Sequence, residues 1–307
     1  MGGSGGFFSS QVNPSEMSQR LRSSENETER KEYETDIASS LDKQLTTSAR
    51  DIKAVNKHLQ KIKDTLSNEI EGTVDTIFGG SVAKHTFVNG LSDIDTLVIL
   101  NRSELENMSP QKVLDYFFSR LSGRFPKTVI EKGDLAITVK FNDAEIQLLP
   151  ALKKKTGVKI ADPVGKGWIF IKPKKFQTAL TKVNNRNNGK VVQTIKLAKS
   201  IIANFAENRR LSGYHIEALA VQIFRNYTGN LTQKEMLKHF FDKSSKRVIH
   251  AMEDVTGQSG DLTSYLGKSG GLKRKMAADS LANMARRMEN ADTACSISQW
   301  RDILAGI

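Results

Sequence analysis

The stretch GGSVAKHTFVNGLSDIDTLVIL, residues 79–100, joins a turn of small residues to an aliphatic run, with two aspartates between them. The aliphatic run predicts a β-strand. Because side chains alternate between the two faces of a strand, Asp93 and Asp95 point the same way, about 7 Å apart. Two carboxylates held this close repel each other unless a cation lies between them, and Mg²⁺ prefers oxygen ligands of this kind. The pair therefore predicts a divalent metal site.

The turn ahead of this strand consists of Gly79, Gly80 and Ser81. Glycines let backbone N–H groups approach a phosphate closely, and the serine hydroxyl adds a donor. Alone, a Gly-Gly-Ser turn is usually only a turn, and an Asp-x-Asp pair is usually solvated. No Gly-Lys-Ser/Thr follows the glycines, which excludes a Walker-type P-loop. Together, a phosphate cradle beside a metal pair predicts a phosphoryl-transfer site.

Length and composition indicate a soluble protein with one large domain or two modest ones. The 307 residues contain no apolar run long enough to span a bilayer, and the N-terminus lacks the basic and apolar segments of a secretory signal. The single cysteine, Cys295, excludes an intramolecular disulfide and a cysteine-based metal site. We expect a cytoplasmic protein without a membrane partner.

The net charge of +12 favours polyanionic partners such as nucleotides, nucleic acid or acidic surfaces. The segments ALKKKTG and FIKPKKF supply six lysines between residues 153 and 175. The alternative is a generally solvated basic surface. The position of the lysines, shortly after the predicted active-site sheet, favours a polyanion-binding surface.

Periodicity divides the chain into three parts. Residues 1–32 are polar and charged without apolar periodicity, and they are expected to form a flexible leader. Residues 33–172 are expected to form a core, with one or two long amphipathic helices followed by a mixed sheet with flanking helices. Residues 173–307 read as almost wholly helical, which predicts an α-helical lobe. The fold class is therefore α/β with a helical C-terminal half.

The motif as a whole resembles that of a known superfamily. A Gly-Ser pair, eleven residues and then Asp-hydrophobic-Asp is similar to the signature of the nucleotidyltransferases related to DNA polymerase β. GGSVAKHT and SDIDTLVIL most resemble the branch of oligoadenylate synthetases and cyclic GMP–AMP synthase. That branch includes the bacterial cGAS/DncV-like nucleotidyltransferases (CD-NTases) of anti-phage CBASS systems. The resemblance spans residues 40–307 and is strongest at 79–100.

The resemblance implies a polymerase β-like core and roles for individual residues. The segments VVQTIKLAKSI and LSGYHIEALA are similar to two family helices, and SQWRDILAGI is similar to the tail of the bacterial members. Lys199 would neutralise the donor triphosphate, with Lys196 as a competing candidate on the same helix. Tyr214 would stack on a base, although a core role is the alternative. The remaining implied roles are phosphate binding by Gly79, Gly80, Ser81 and Lys84, and ligation of two Mg²⁺ ions, with Mn²⁺ as an alternative, by Asp93 and Asp95.

One position departs from the family pattern. The third carboxylate of the family lies three residues before a proline on a later strand, and here that position is Gln147. Glutamine offers a carbonyl to a metal but accepts no proton. Glu145 lies two residues earlier, hence on the same face of the strand, and is the alternative for the third-carboxylate role. His85 and His215 are not at metal-ligand spacings with other histidines.

The implied activity is transfer of a nucleoside monophosphate from an NTP to a ribose hydroxyl, with release of pyrophosphate. The expected product is a cyclic or short oligonucleotide second messenger in anti-phage signalling. Expected partners are NTPs including ATP, a nucleic-acid or protein activator, and an effector that binds the product. Two alternatives stay open, namely an RNA 3′-end nucleotidyltransferase and an inactive nucleic-acid-binding scaffold, for which Gln147 is the best argument.

Overall fold

The computed structural model describes residues 14–47, 52–70, 75–88, 94–162, 167–253 and 262–306. Within these ranges the chain forms ten α-helices and seven β-strands. The helices are α1 Pro14–Thr47, α2 Ile52–Glu69, α3 Gly80–Ala83, α4 Pro110–Arg124, α5 Pro173–Arg186, α6 Lys190–Ile202, α7 Gly213–Phe224, α8 Gln233–Arg247, α9 Leu272–Thr293 and α10 Ile297–Ala305. The strands are β1 Asp75–Phe78, β2 Ile94–Ile99, β3 Val129–Lys132, β4 Ile137–Lys140, β5 Glu145–Lys154, β6 Gly157–Ala161 and β7 Trp168–Ile171.

The strands form one mixed sheet. Its order is β1-β2-β5-β4-β3, and β6 pairs with the end of β5 and with β7. β2 and β5 run parallel, whereas the other neighbouring strands run antiparallel. Parallel neighbours need a long connection, which α4, β3 and β4 supply between them in the chain. The mixed sheet with flanking helices confirms the predicted fold class.

Two helices, α2 and α4, cover one face of this sheet. Ile62 and Leu66 of α2 and Phe117 of α4 pack against buried strand residues, among them Ile94, Val98, Ile146 and Leu148. Successive strand side chains point to opposite faces, so Asp95 and Gln147 lie on the other face of the sheet. Both are only half-buried. The helices thus cover the apolar face of the sheet, and the two polar side chains lie on the uncovered side.

The helices from α5 to α10 form a second hydrophobic core, to which α1 also contributes. Tyr33, Ile37 and Leu41 of α1 are buried in this core, and the Trp300 indole donates to the Tyr33 hydroxyl at 3.0 Å. The sequence prediction assigns this helix to residues 33–172 instead. Its four-residue spacing shows that one face is buried, but it does not indicate what that face packs against. The division at residue 172 stays a prediction.

The predicted flexible leader differs from the structure over part of its length. Residues 1–13 lie outside the described residues, whereas α1 begins at Pro14. Residues 22–32 of α1 are exposed, and Lys31 pairs with Glu27 at 2.8 Å. Ion pairs at this spacing support a helix without an apolar face. The apolar periodicity used to predict helices therefore does not reveal this exposed part of α1.

A local signal correctly located the start of α4. Pro110 begins α4 with Ser109 as its N-cap, as the Ser-Pro pair predicts. β6 and β7 were not predicted, because their residues belong to the lysine-rich segment and its surroundings. Among the described helices, none is both long enough and apolar enough to cross a membrane.

Candidate active site

The turn after β1 lies directly against Asp95 on β2. The Gly79 N–H donates to the Asp95 carbonyl at 2.8 Å. Gly80 has a φ of +47°, and a Cβ at this position would overlap the Asp95 carboxylate. Glycine meets both demands because it tolerates positive φ and has no side chain. The two glycines thus allow the backbone of the turn to lie directly beside the Asp95 carboxylate.

Ser81 follows in the short helix α3, and its hydroxyl is buried. The residue is 7% exposed, and its Oγ has no hydrogen-bond partner within the described part of the chain. Its carbonyl accepts from the Thr86 N–H at 2.9 Å, which closes the turn after α3. A buried hydroxyl without a partner costs free energy. The hydroxyl therefore fits a ligand that the chain itself does not supply, such as a phosphate oxygen.

Gln147 lies beside Asp95 in the parallel register of β2 and β5. Its partner on the other side is Thr138 of β4. Glu145 lies two residues earlier on the same face, with Lys140 as its register partner on β4. Asp93 lies outside the described residues, so its predicted pairing with Asp95 stays a prediction.

A buried charged cluster joins this turn to the helical lobe. Lys199 in the last turn of α6 is 7% exposed, and its ammonium donates to Glu217 Oε1 at 2.8 Å and to the Thr86 carbonyl at 3.1 Å. The Thr86 hydroxyl donates to the same Glu217 oxygen at 2.5 Å. Lys84 donates to the second oxygen, Oε2. One carboxylate thus binds two ammonium groups and a hydroxyl.

Lys84 also lies against two aromatic rings. Its Nζ is 5.0 Å from the ring centroid of Tyr214 and 5.1 Å from that of Phe176. The two rings are 4.8 Å apart, between the start of α7 and the start of α5. At these distances the ring faces attract the ammonium group. Tyr214 therefore lies beside the proposed phosphate site, where a nucleotide base could reach it.

Burial and neighbouring charges set the protonation of the cluster. Burial lowers the pKa of Lys199 below its ordinary value, and Glu217 and Asp95 oppose this shift. Burial alone would raise the pKa of Glu217, but Lys199 and Lys84 hold it below its ordinary value. Glu217 is therefore ionised at neutral pH and stabilises two neighbouring ammonium groups.

The structure brings most of the predicted site residues together. Those gathered around the turn and the cluster are Gly79, Gly80, Ser81, Lys84, Asp95, Gln147, Lys199 and Tyr214. Burial also lowers the pKa of Lys196, which forms no ion pair among the described residues. His85 is exposed, and His215 is buried with its Nδ1 2.8 Å from the Tyr265 hydroxyl.

Sequence reasoning missed Thr86, Phe176 and Glu217. Thr86 and Phe176 stand outside any recognisable motif. Glu217 gave a signal that was not used, since it is the only charged residue of α7, GYHIEALAVQIF. A lone carboxylate in an apolar helix is buried at a cost, and it therefore needs a partner.

The residues present suit a divalent metal and phosphates. No group of three or more His, Cys, Asp or Glu within the described ranges is arranged to hold a metal ion by itself. Asp95 nevertheless offers carboxylate oxygens, the kind of ligand that Mg²⁺ shares with substrate phosphates. The Ser81 hydroxyl, which has no partner among the described residues, suits a phosphate oxygen.

Solved structures with this fold include three bacterial proteins. CdnC of Escherichia coli MS115-1, solved with ATP, has a TM-score of 0.63 at 16% identity, over 83% of this chain and 91% of CdnC. CdnG of Bradyrhizobium diazoefficiens, solved with GTP, has a TM-score of 0.67 at 13% identity, over 88% and 95%. The Vibrio cholerae cyclic AMP-GMP synthase DncV has a TM-score of 0.62 at 13% identity, over 95% and 89%.

The mixed sheet and helical region of this chain share the fold of these nucleotide-bound proteins. Residues 31–184, half of the chain, match the Second Messenger Oligonucleotide or Dinucleotide Synthetase domain, SMODS. The chain therefore belongs to the SMODS family. This confirms the predicted resemblance to the bacterial cGAS/DncV-like nucleotidyltransferases. Among curated proteins, none matches the sequence significantly.

Proposed function

We propose that this protein is a Mg²⁺-dependent nucleotidyltransferase that joins NTPs, ATP among them, into a cyclic oligonucleotide messenger of anti-phage defence. In each step a ribose hydroxyl oxygen bonds to the α-phosphorus of a donor NTP. The bond from that phosphorus to the bridging oxygen breaks, pyrophosphate leaves, and the hydroxyl proton passes to a base or to water. The observation that supports this most is the buried Ser81 hydroxyl, which has no partner among the described residues and follows Gly80, the residue packed against Asp95.

The donor half of the reaction is assigned to residues around the glycine turn. The backbone at Gly80 and the Ser81 hydroxyl would bind the β- and γ-phosphates. Lys84 and Lys199 would neutralise the triphosphate, because their ammonium groups meet at one carboxylate next to this turn. Tyr214 would stack on a base, since its ring lies beside Lys84.

The metal half is assigned to Asp93 and Asp95. Mg²⁺, or Mn²⁺ in its place, would supply charge neutralisation for the phosphates and a lowered pKa for the attacking hydroxyl. Asp95 lies close enough to the glycine turn for its carboxylate and the phosphates to share an ion. Gln147 beside it contributes a neutral carbonyl and accepts no proton. Glu145 on the same face is the nearby candidate to accept it.

The proposal is tested by incubating the protein with four labelled NTPs and Mg²⁺, first without and then with RNA. A small product that resists phosphatase supports the cyclase. The Asp95→Asn variant is the matched control for a contaminating activity, since it keeps the size of the side chain and removes its charge. Product formation by that variant at the wild-type rate would contradict the assignment of Asp95.

The same assay separates the two alternatives. The net charge of +12 and the exposed lysines on the β5–β6 hairpin favour an RNA substrate, in which case the RNA lengthens. Absence of any product under both conditions favours the inactive scaffold. The assay is repeated with candidate nucleic-acid or protein activators, because an enzyme that requires an activator forms no product without it.

A further inference from the structure

Glu217 connects the two parts of the chain at the proposed donor site. It belongs to α7 in the helical lobe and is 1% exposed. Two of its partners, Lys84 and Thr86, follow the glycine turn in the core, and the third, Lys199, belongs to α6. An ionised carboxylate only accepts hydrogen bonds, and here both of its oxygens are used. The contacts therefore fix the segment 84–86 against the helical lobe.

Stability alone is a weak reason for this cluster. Removing charges from water is costly, and well-packed apolar residues often stabilise a protein as well as a buried ion pair does. Two ammonium groups share the Glu217 carboxylate, and the other negative charge that acts on Lys199 is that of Asp95, a proposed metal ligand. Thr86, which accepts from Lys199, donates its N–H to the carbonyl of Ser81, whose hydroxyl has no partner among the described residues. Such an arrangement favours the binding of an anionic ligand that is not part of the chain.

We infer that Glu217 is a positioning residue, which holds the ammonium groups of Lys84 and Lys199 side by side for the triphosphate of the donor nucleotide. The inference rests on the proposed function. Glu217 itself does not contact the nucleotide. It acts through the two lysines, and its charge opposes the lowering of the Lys199 pKa by burial. Helix α7 thereby determines the geometry of a phosphate site on the core.

The test is the Glu217→Gln variant, which keeps the size of the side chain. Its amide has one oxygen to accept with, and its NH₂ group would face an ammonium group. One lysine therefore loses its acceptor and its position. We expect the KM for ATP to rise about tenfold or more, the loss typical of one hydrogen bond to a charged group. We expect kcat to change by less than about threefold, because phosphate contacts act alike before and during the reaction.

The matched control is Asp292→Asn in the helical lobe. Asp292 also joins two lysines, accepting from Lys234 at 2.6 Å and from Lys238 at 2.5 Å, but it lies outside the proposed site. Loss of its charge lowers stability without an effect on the KM for ATP. An equal rise of KM in both variants would show a general effect of destabilisation and overturn the inference.

A second variant keeps the test decisive if Glu217→Gln does not fold. Combining it with Lys84→Met removes the ammonium group that lost its acceptor. If Glu217 acts through Lys84, the double variant has a KM close to that of Lys84→Met alone, because the two effects are not additive. A KM of the double variant far above that of Lys84→Met alone would mean that Glu217 does not act through Lys84, which contradicts the inference.

The failure of the inference and the failure of the proposed function give different results. An active wild type with an unchanged KM in Glu217→Gln, or with a loss confined to kcat, overturns the role of Glu217 alone. A wild type that makes no product from NTPs counts against the proposed function. In that case calorimetric titration with ATP still tests the role of Glu217. We expect Glu217→Gln to bind ATP about tenfold more weakly than the wild type does. Equal affinities would overturn the inference.

Discussion

Asp95 and Gln147 are register partners on neighbouring parallel strands, and they lie on the face of the sheet opposite to α2 and α4. This relationship places a neutral amide beside the central carboxylate of the proposed site. In the family pattern that the sequence resembles, this position holds a third acid. The nature of the proton acceptor therefore becomes the main chemical question about this enzyme.

The first prediction concerns this acceptor. If Glu145 accepts the proton, Glu145→Gln lowers kcat by about 10²–10⁴-fold, the usual loss of a general base. If water accepts it instead, the variant is nearly normal, and Gln147→Asp raises activity by adding a carboxylate. Rates measured with labelled NTPs over a range of Mg²⁺ concentrations distinguish the two. Glu145 lies about 7 Å from Gln147 along the strand, which makes it a distant replacement.

The second prediction concerns the carboxylates assigned to the metal. Asp95→Asn, and likewise Asp93→Asn, should lower activity by orders of magnitude, because the amide lacks the charge that Mg²⁺ needs. The melting temperature should hold or rise, since a repulsion between like charges is relieved. A marked fall in melting temperature for both variants would show that the carboxylates are structural instead. Thermal unfolding and NTP turnover are measured on the same preparations.

The third prediction concerns Gly80. Alanine there must adopt a left-handed backbone, at about 1–2 kcal/mol, and its Cβ would overlap the Asp95 carboxylate. We expect Gly80→Ala to lose both stability and nearly all activity. The control is Gly123→Ala in α4, where a Cβ meets no atom within 4 Å among the described residues. It should be stabilised by about 0.5–1 kcal/mol at full activity. Normal turnover by Gly80→Ala would remove this turn from the site.

The fourth prediction concerns the lysines on the β5–β6 hairpin. Lys153, Lys154 and Lys155 are exposed beside the sheet. Changing all three to glutamate should weaken nucleic-acid binding and reduce the slope of log K against log salt by about 2–3. The control changes Lys268, Lys273 and Lys275, exposed lysines near the start of α9, so that the net charge falls equally. If the wild type binds no nucleic acid even at low salt, the hairpin lysines are only a solvated surface.

The fifth prediction concerns acid stability. Burial alone would raise the pKa of Asp292, but Lys234 and Lys238 hold it below its ordinary value. The folded state therefore binds this proton less readily than the unfolded state does. Its contribution to stability is complete above about pH 4, the unfolded value, and is lost as pH falls through the folded pKa.

Melting temperatures measured from pH 7 downward test this prediction. Asp292→Asn should be less stable than the wild type at neutral pH, and the difference should shrink in acid. Asp134→Asn, an exposed loop residue, serves as the control. A constant difference between Asp292→Asn and the wild type at all pH values would contradict the coupling to the two lysines.

The sequence by itself determined the parts that depend on neighbouring residues in the chain. The aliphatic run after residue 93 predicted β2, and the Ser109-Pro110 pair predicted the start of α4. The spacing of Gly80, Ser81 and Asp95 indicated the chemistry, because strand alternation and a glycine turn follow from local stereochemistry. The matching SMODS domain confirms the family to which this motif points.

Only the tertiary structure decided which distant residues meet. Lys84 and Glu217 are 133 positions apart, and no local rule relates a lysine after a turn to a carboxylate in an apolar helix. The same holds for α1, whose apolar face packs against the C-terminal helices. Apolar burial is non-directional, so a pattern reveals that a face is buried but not its partner. The Ser81 hydroxyl, which finds no partner among the described residues, likewise emerged only from the tertiary structure.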